Sequence, residues 1–324
     1  ATDNVIIGHR AGYDATGVLN TVIGSEALFT ETSGGRTMAI GAGAAKLQNK
    51  GGSTITQNTC IGYIAGLSNV TGVSNTYVGY AAGYGSGSAG NRSFCTGVGD
   101  GALQVNTTGS WNTAVGQNAQ VGITDGQKNT SVGSSALATC ISGNNNVAMG
   151  LSALEQATGS DNTAIGYQCG NSINTGAQNT GLGSDCAFTV DANNQTAIGY
   201  QATTAVTGAN TIMMGNSSMT DIYMGDDATA FSQVSDERLK RNIKDWDVGL
   251  DAINKLRIRQ FQFKEDNVFG FKADKVRQGI IAQEAIEALP EMIKTNSEGW
   301  MSANNESMIW AMVNSIQELS AKVK

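Results

Sequence analysis

Asn112-Thr113-Ala114-Val115-Gly116-Gln117-Asn118-Ala119 and Asn129-Thr130-Ser131-Val132-Gly133-Ser134-Ser135-Ala136 state one phrase twice, seventeen residues apart. The phrase, Asn-Thr-x-Ile/Val-Gly-x-x-Ala, opens earlier as NVIIGHRAG from Asn4, NTVIGSEAL from Asn20, NTCIGYIAG from Asn58 and NTYVGYAAG from Asn75. It runs on as NVAMGLSAL from Asn146, NTAIGYQCG from Asn162, NTGLGSDCA from Asn179 and QTAIGYQAT from Gln195. Thirteen register glycines mark the copies: Gly8, Gly24, Gly41, Gly62, Gly79, Gly99, Gly116, Gly133, Gly150, Gly166, Gly183, Gly199 and Gly215. Their gaps are 16 or 17 residues, except 21 after Gly41 and 20 after Gly79. A register this constant is a solenoid signal.

Period and composition choose the kind of solenoid. Helical repeats need about thirty residues and helix formers; here the repeat is half that and dense in Gly, Asn, Thr and Ser. The length predicts two short strands and two tight turns per coil. The apolar residue before each glycine and the alanine three after it are expected to point inward, with Gly and Asn taking positive φ in the turns. Stacked at about 4.8 Å, thirteen coils make a rod on the order of 60 Å long. Ala, Val and Ile give only a thin core, so three chains are expected side by side. The two longer gaps are expected to bulge outward as loops.

The array stops at a seam. The 234 residues before Ser235 hold 38 of the 42 glycines, all five cysteines and 19 charged side chains. The 90 residues from Ser235 on hold 28 charges and the single proline, Pro290. Two such compositions do not share one core, so the expected layout is a shaft over 1–215, a neck over 216–234 and a separate domain over 235–324. The net charge of −7 falls entirely on the first part, with 6 basic and 13 acidic side chains against 14 and 14 afterwards. That balance argues against nucleic acid or an anionic membrane as partner. No stretch approaches the roughly 20 apolar residues of a membrane span. The chain begins in mid-repeat, which predicts an anchoring region upstream.

Few residues offer chemistry. With His9 the only histidine, a histidine triad or a multi-histidine metal site is excluded, and no cofactor or metal is expected. The five cysteines fit no zinc spacing. Cys169 and Cys186 take the repeat position where other copies have alanine. They read first as small buried hydrophobes, and second as a disulfide between stacked copies. Tyr63, Tyr80, Tyr167 and Tyr200 each follow a register glycine, with Tyr77, Tyr84 and Trp111 nearby. They read either as ordinary surface residues or as a row that stacks on sugar rings. No pair of carboxylates stands at a spacing that marks a glycosidase.

The array resembles the left-handed parallel β-roll heads of trimeric autotransporter adhesins, and phage and virus fibres carry similar repeats. The likeness covers about Asn4 to Gly215 and rests on the Ile/Val-Gly-x-x-Ala kernel. It departs in a slightly longer period and in the two insertions. The fold class expected is therefore mainly β: a trimeric parallel β-roll solenoid followed by an α+β domain that ends in a coiled-coil helix.

Beyond the seam the pattern is α+β. Ser235 or Asp236 can cap a first turn, Val248–Leu256 reads as a helix, and Arg257–Lys264 and Val276–Ile281 as strands. Ala282–Leu289 reads as a helix stopped by Pro290. Asn304 and Asn305 introduce a last helix through Lys324. In it Ile309, Met312, Ile316, Leu319 and Val323 alternate steps of three and four, the seam of a coiled coil. A helix buried within one chain could carry the same stripe, but a rod that needs partners favours the intermolecular coil.

This segment resembles the intramolecular chaperone auto-processing domain at the end of endosialidase-type phage tail spikes and many tail fibres. The carriers are SDERLKRNI from Ser235, RQGIIAQEAIEALPEMI from Arg277 and the terminal Glu306-to-Leu319 helix. The resemblance implies a domain that assembles three chains, templates the β fibre before it and then cuts itself off before the motif serine. Carried over, the scissile bond is Val234–Ser235, with Ser235 the nucleophile and Lys240 its base. A lysine serves as base only when neutral, and burial or the cations Arg238 and Arg241 would favour that. Residues five apart on a regular helix lie about 140° from one another. Either Ser235 therefore precedes the first turn or Lys240 comes from a neighbouring chain.

The expected protein is a homotrimeric attachment fibre of a phage or virus, located in the virion and joined to an upstream virion-anchoring region. Its receptor would be a host surface glycan or protein, and the chaperone domain would be released in the host cytoplasm after assembly. Its only expected catalysis is one self-cleavage. A bacterial trimeric surface adhesin is the alternative, which a terminal membrane-anchor barrel would favour. A glycan-degrading tail spike is another, which new reducing ends on host polysaccharide would reveal.

Overall fold

The computed structural model describes residues 3–51, 55–85, 91–204, 209–219, 236–268, 271, 273–296 and 299–324. The chain divides into two compact units, Ala1–Asn216 and Ser217–Lys324.

The first unit is a parallel β-solenoid. Thirteen strands, β1 (Val5–Ile7) through β13 (Thr211–Met214), form one sheet in sequence order, each paired in parallel with the next. The register follows the phrase: Thr130 of β8 (Thr130–Val132) faces Thr113 below and Val147 above. Each coil contributes one short strand rather than the expected two. The reason lies in the turn that follows it. The residues two and four after the register glycine are left-handed in coil after coil, as at Asn118 and Gln120 (φ 54° and 50°) and at Ser135 and Leu137 (φ 56° and 53°). Extended backbone cannot pass through such positions. Hydrogen bonding between coils continues there regardless, from Gln120 N–H to the Ala136 carbonyl at 2.9 Å and from Leu137 N–H to the Ala153 carbonyl at 3.0 Å.

The register glycine is obligatory for two reasons. Gly133 has φ 135°, and a Cβ there would sit 2.4 Å from the Gly150 carbonyl oxygen of the next coil. No side chain fits that stack.

The core is thin, but its composition differs from expectation in one respect. The alanine three after each glycine is buried, as at Ala119, Ala136 and Ala153. The apolar residue before the glycine is not. Ile7, Val115, Val132, Met149, Ile165, Leu182, Ile198 and Met214 are 36–59% exposed. Alternation along a strand explains this: the middle residue turns inward (Val22, Ala39, Cys60, Tyr77, Ala114, Ala148, Ala164, Ala197), so its neighbours turn out. In most of these strands the larger apolar side chain is left outside; Tyr77, buried although Val78 beside it is smaller, is the exception.

The phrase's asparagine does not take positive φ either; the residue before it does, as at Trp111, Lys128 and Asn145. The asparagines form a buried ladder. Asn129 Nδ2 donates to the Gly143 carbonyl at 2.8 Å, and Asn129 Oδ1 accepts the Asn146 backbone N–H at 2.9 Å. Asn112, Asn146, Asn162 and Asn179 repeat both bonds. Each rung thus fixes the backbone of the next. Where Thr37 replaces the asparagine, buried Gln48 substitutes, donating to Thr37, Thr56 and Glu31 and accepting from Asn58. Where Cys95 replaces it, Asn106 donates to the Gly109 carbonyl at 2.9 Å instead. Removing a rung leaves a buried carbonyl and a buried N–H unpaired, at about 1–3 kcal/mol each. Asn129→Ala is therefore expected to lower the melting temperature of the shaft sharply, while Ser134→Ala on the same coil changes it little.

Cys169 and Cys186 stack on adjacent coils with Cα atoms 4.7 Å apart and are disulfide-bonded. This corrects their first reading as free hydrophobes. A Cβ at Gly181 would lie 2.5 and 2.8 Å from the two sulfurs, so the glycine supplies the room that they need. Cys60, Cys95 and Cys140 are free and buried, and burial pushes the Cys60 thiol up to about 12. Of the two insertions, residues 52–54 and 86–90 lie outside the described residues.

The second unit is α+β. Helix α1 (Leu250–Lys255) and helix α3 (Asn305–Val323) pack together. Strands β14 (Arg259–Phe261) and β15 (Arg277–Gly279) form an antiparallel pair. The helix expected over Ala282–Leu289 is shorter, α2 (Ala282–Ala285), with a 3-10 turn over Pro290–Met292. A second antiparallel pair, β16 (Ile293–Thr295) and β17 (Met301–Ala303), was not read from the sequence. The core of this unit is small: Leu289, Met292 and Ala311, with Val248, Ile253, Ile280, Ile293 and Met308 against them.

Candidate functional site

Three surfaces carry the residues singled out from the sequence. The first is the seam. Val234 and Ser235 lie outside the described residues. The turn after them is described: Asp236 is its N-cap, and its 3-10 helix covers Glu237–Leu239. Lys240 leaves that turn extended, at φ −109° and ψ 148°, with its N–H bonded to the Glu237 carbonyl at 2.9 Å. No regular helix therefore runs across these positions. Lys240 is exposed. Asp236 Oδ1 accepts the Arg238 backbone N–H, and both carboxylate oxygens hold the Arg238 guanidinium, at 2.9 and 2.6 Å. Those bonds hold the Asp236 carboxyl below the usual carboxylate range. One of the two cations expected beside Lys240 is thus ion-paired with Asp236.

The second surface is helix α3. Asn304 caps it, accepting the Glu306 N–H at 2.9 Å. One face docks on its own chain. Ala311 and Ser315 are buried there, Asn314 Nδ2 donates to the Trp246 and Val248 carbonyls, and Glu318 accepts the Leu250 N–H. Glu318 comes so close that a Cβ on Gly249 would collide with its carboxylate. The heptad face points elsewhere. Ile309, Met312, Ile316, Leu319 and Val323 are 46–87% exposed, and Trp310 and Val313 flank them in the open. A stripe this apolar is not what the protomer uses to fold.

Nearby, Arg259 grips Glu284 through two bonds of 2.9 and 2.7 Å, tying β14 to α2. The guanidinium lowers the Glu284 carboxyl. Whatever stability this pair gives is present above the ordinary glutamate value and is lost as pH falls through the lowered one.

The third surface is the outside of the solenoid. The residues before the register glycines form an apolar ridge along the whole sheet. The tyrosines after those glycines are exposed by 49–59%. Tyr63 and Tyr80, on adjacent coils, stack on one another with ring centres 5.6 Å apart. Tyr167 and Tyr200 are two coils apart, with Ser184 between them. Two further pairs, Tyr13–Phe29 and Phe94–Trp111, stack in the same way on other columns. Tyr77, by contrast, is buried beneath the sheet, where its hydroxyl accepts from Arg92 at 3.3 Å. Among the described residues no cluster of side chains could hold a metal ion, and no helix is long and apolar enough to cross a membrane.

Comparison with curated proteins and with solved structures gives no match to this chain. The terminal helix lies beyond the one stretch that a family model does match. That stretch starts at the seam serine: residues 235–294 match the family described as chaperone of endosialidase, and the chain therefore carries such a domain C-terminal to its β-solenoid.

Proposed function

We propose that the chain is the distal part of a trimeric attachment fibre of a phage or virus, with a shaft that is folded and then released by its own C-terminal domain. What supports this most is the order of parts, a β-solenoid with an uncovered apolar ridge followed along the chain by the matched domain at 235–294. Each ridge side chain gains only about 1 kcal/mol on burial, so no single rung holds copies together. Thirteen in line do. Three ridges meeting on a common axis bury all of them, and the heptad face of α3 brings three chains into alignment first.

Cleavage then follows from the seam. Lys240 takes the hydroxyl proton of Ser235, and Oγ attacks the Val234 carbonyl. The peptide C–N bond breaks as the C–O bond forms, and the proton passes to the Ser235 nitrogen, now a free amine. Water opens the ester, leaving a Val234 carboxylate and restoring the hydroxyl. Lysine works as a base only once its ammonium is desolvated, and Lys240 is exposed in the single chain. The neighbouring chains supply that burial, so cutting waits for assembly. In this reading the fibre belongs to the virion, joins an upstream anchoring region and meets a host surface glycan or protein. The domain released in the host cytoplasm has no further role. Mass spectrometry of the purified chain under denaturing conditions tests it: a fragment beginning at Ser235 is expected, and a single uncut species contradicts self-release.

A further inference from the structure

We infer that Tyr167, Ser184 and Tyr200 form a binding slot for one neutral sugar ring; the inference rests on reading the shaft as an attachment rod. Wherever two aromatics hold the same repeat position on adjacent coils, they stack: Tyr13 on Phe29 at 5.2 Å, Tyr63 on Tyr80 at 5.6 Å, Phe94 on Trp111 at 5.6 Å. The interplanar angles are 15°, 17° and 11°. Three separate columns thus give one rule. A coil step is one ring step.

Tyr167, Ser184 and Tyr200 occupy a single column on three successive coils. The strands beneath them, β10 (Thr163–Ile165), β11 (Thr180–Leu182) and β12 (Gln195–Ile198), are in strict register. The backbone after the glycines is equally fixed, with Asp185 N–H on the Tyr167 carbonyl at 2.8 Å and Gln201 N–H on the Ser184 carbonyl at 2.9 Å. By the rule of the other columns, an aromatic at 184 would complete a three-ring stack. Serine stands there instead. The column therefore holds two exposed rings separated by the space of one absent ring, with a hydroxyl at its base.

The surroundings select the occupant. Gln168, Asp185 and Gln201 are the next residues along the chain at the three levels of the column, so carboxylate and amide groups that suit sugar hydroxyls are adjacent in sequence to each of its members. The first 234 residues carry 13 acidic against 6 basic side chains, which disfavours an anionic sugar. A pyranose presents an apolar C–H face to each tyrosine and hydroxyls at its rim, matching both parts of the site. Tyr63 and Tyr80 offer no such slot, because each covers a face of the other.

The test uses the full chain and four neutral hexaoses (maltohexaose, cellohexaose, mannohexaose and chitohexaose), with binding read by tyrosine fluorescence and saturation-transfer NMR. At least one is expected to bind, and Tyr167→Ala and Tyr200→Ala should each weaken it tenfold or more. Ser184→Tyr fills the slot with a ring that this column accepts at Tyr63 and Tyr80, so it should fold normally and abolish binding. Ser184→Ala, which keeps the space, should stay within threefold of the parent, as should Tyr63→Ala. Binding that survives Ser184→Tyr, or no hexaose bound by the parent chain, overturns the slot. Assembly mass and cleavage are read on the same sample, so a cut trimer that binds none of the sugars sinks the slot alone.

Discussion

Ile316→Asp combined with Leu319→Asp is expected to leave the chain monomeric and its shaft largely aggregated. The single chain gives no reason for such an effect. Both side chains are exposed, at 65% and 46%, whereas Ala311 and Ser315, which dock on the chain itself, are buried. Surface substitutions of that kind usually shift stability by no more than about 0.5 kcal/mol. If the heptad face is instead the interior of a three-chain coil, two carboxylates per chain enter an apolar seam, and burying unpaired charge there is prohibitive. The shaft suffers in turn. Parallel pairing is slow to form, and its exposed ridges invite off-pathway association while they wait for partners. Sedimentation and far-UV circular dichroism of the soluble fraction read both consequences. Ser320→Asp, with the same charge on an exposed non-heptad position, should behave as the parent. A soluble trimer in the double variant would remove α3 from assembly.

Ser235→Ala is expected to abolish processing altogether, so that a denaturing gel shows only the 33.5 kDa chain. The effect is all or none because the methyl side chain offers no nucleophile. Lys240→Ala should do the same, and Lys240→Arg as well, since arginine does not give up its proton. These variants should still assemble, which separates them from the α3 variant. That one should also remain uncut, because cleavage depends on the burial that assembly provides. Normal processing in Ser235→Ala would refute the assignment of the nucleophile. Processing in the α3 variant while it is monomeric would refute the dependence on assembly.

Much of this architecture is legible in the residues; the rest depends on contacts between coils. The register glycines announced the solenoid because a carbonyl passes where a Cβ would be. Nothing in Asn118, Gln120, Ser135 or Leu137 advertises left-handed backbone, so the residues alone point to a second strand per coil. Ordinary residues hold that conformation because the coils above and below satisfy their backbone groups. Val115 and Val132 face outward although each is the largest apolar residue of its strand, the one that size alone would put in the core. A three-residue strand with one inward position gives that place to Ala114 and Ser131. The asparagine was visible as a constant letter, but its ladder depends on contacts sixteen or seventeen residues away. The β16–β17 pair carries a sequence signal too: Asn296-Ser-Glu-Gly299 separates Ile293–Thr295 from Met301–Ala303, and such a cluster is a turn signal. The heptad face of α3 was legible as a stripe, and the structure adds that its own chain leaves it uncovered.

A trimeric shaft requires the ridge along the solenoid to be an interior surface. Native mass spectrometry of the purified protein at submicromolar concentration measures this most directly. An assembly of three shafts is predicted, persisting after the C-terminal domain is cut away. A lone shaft with intact β structure under the same conditions would show that one coil suffices, and would contradict the account.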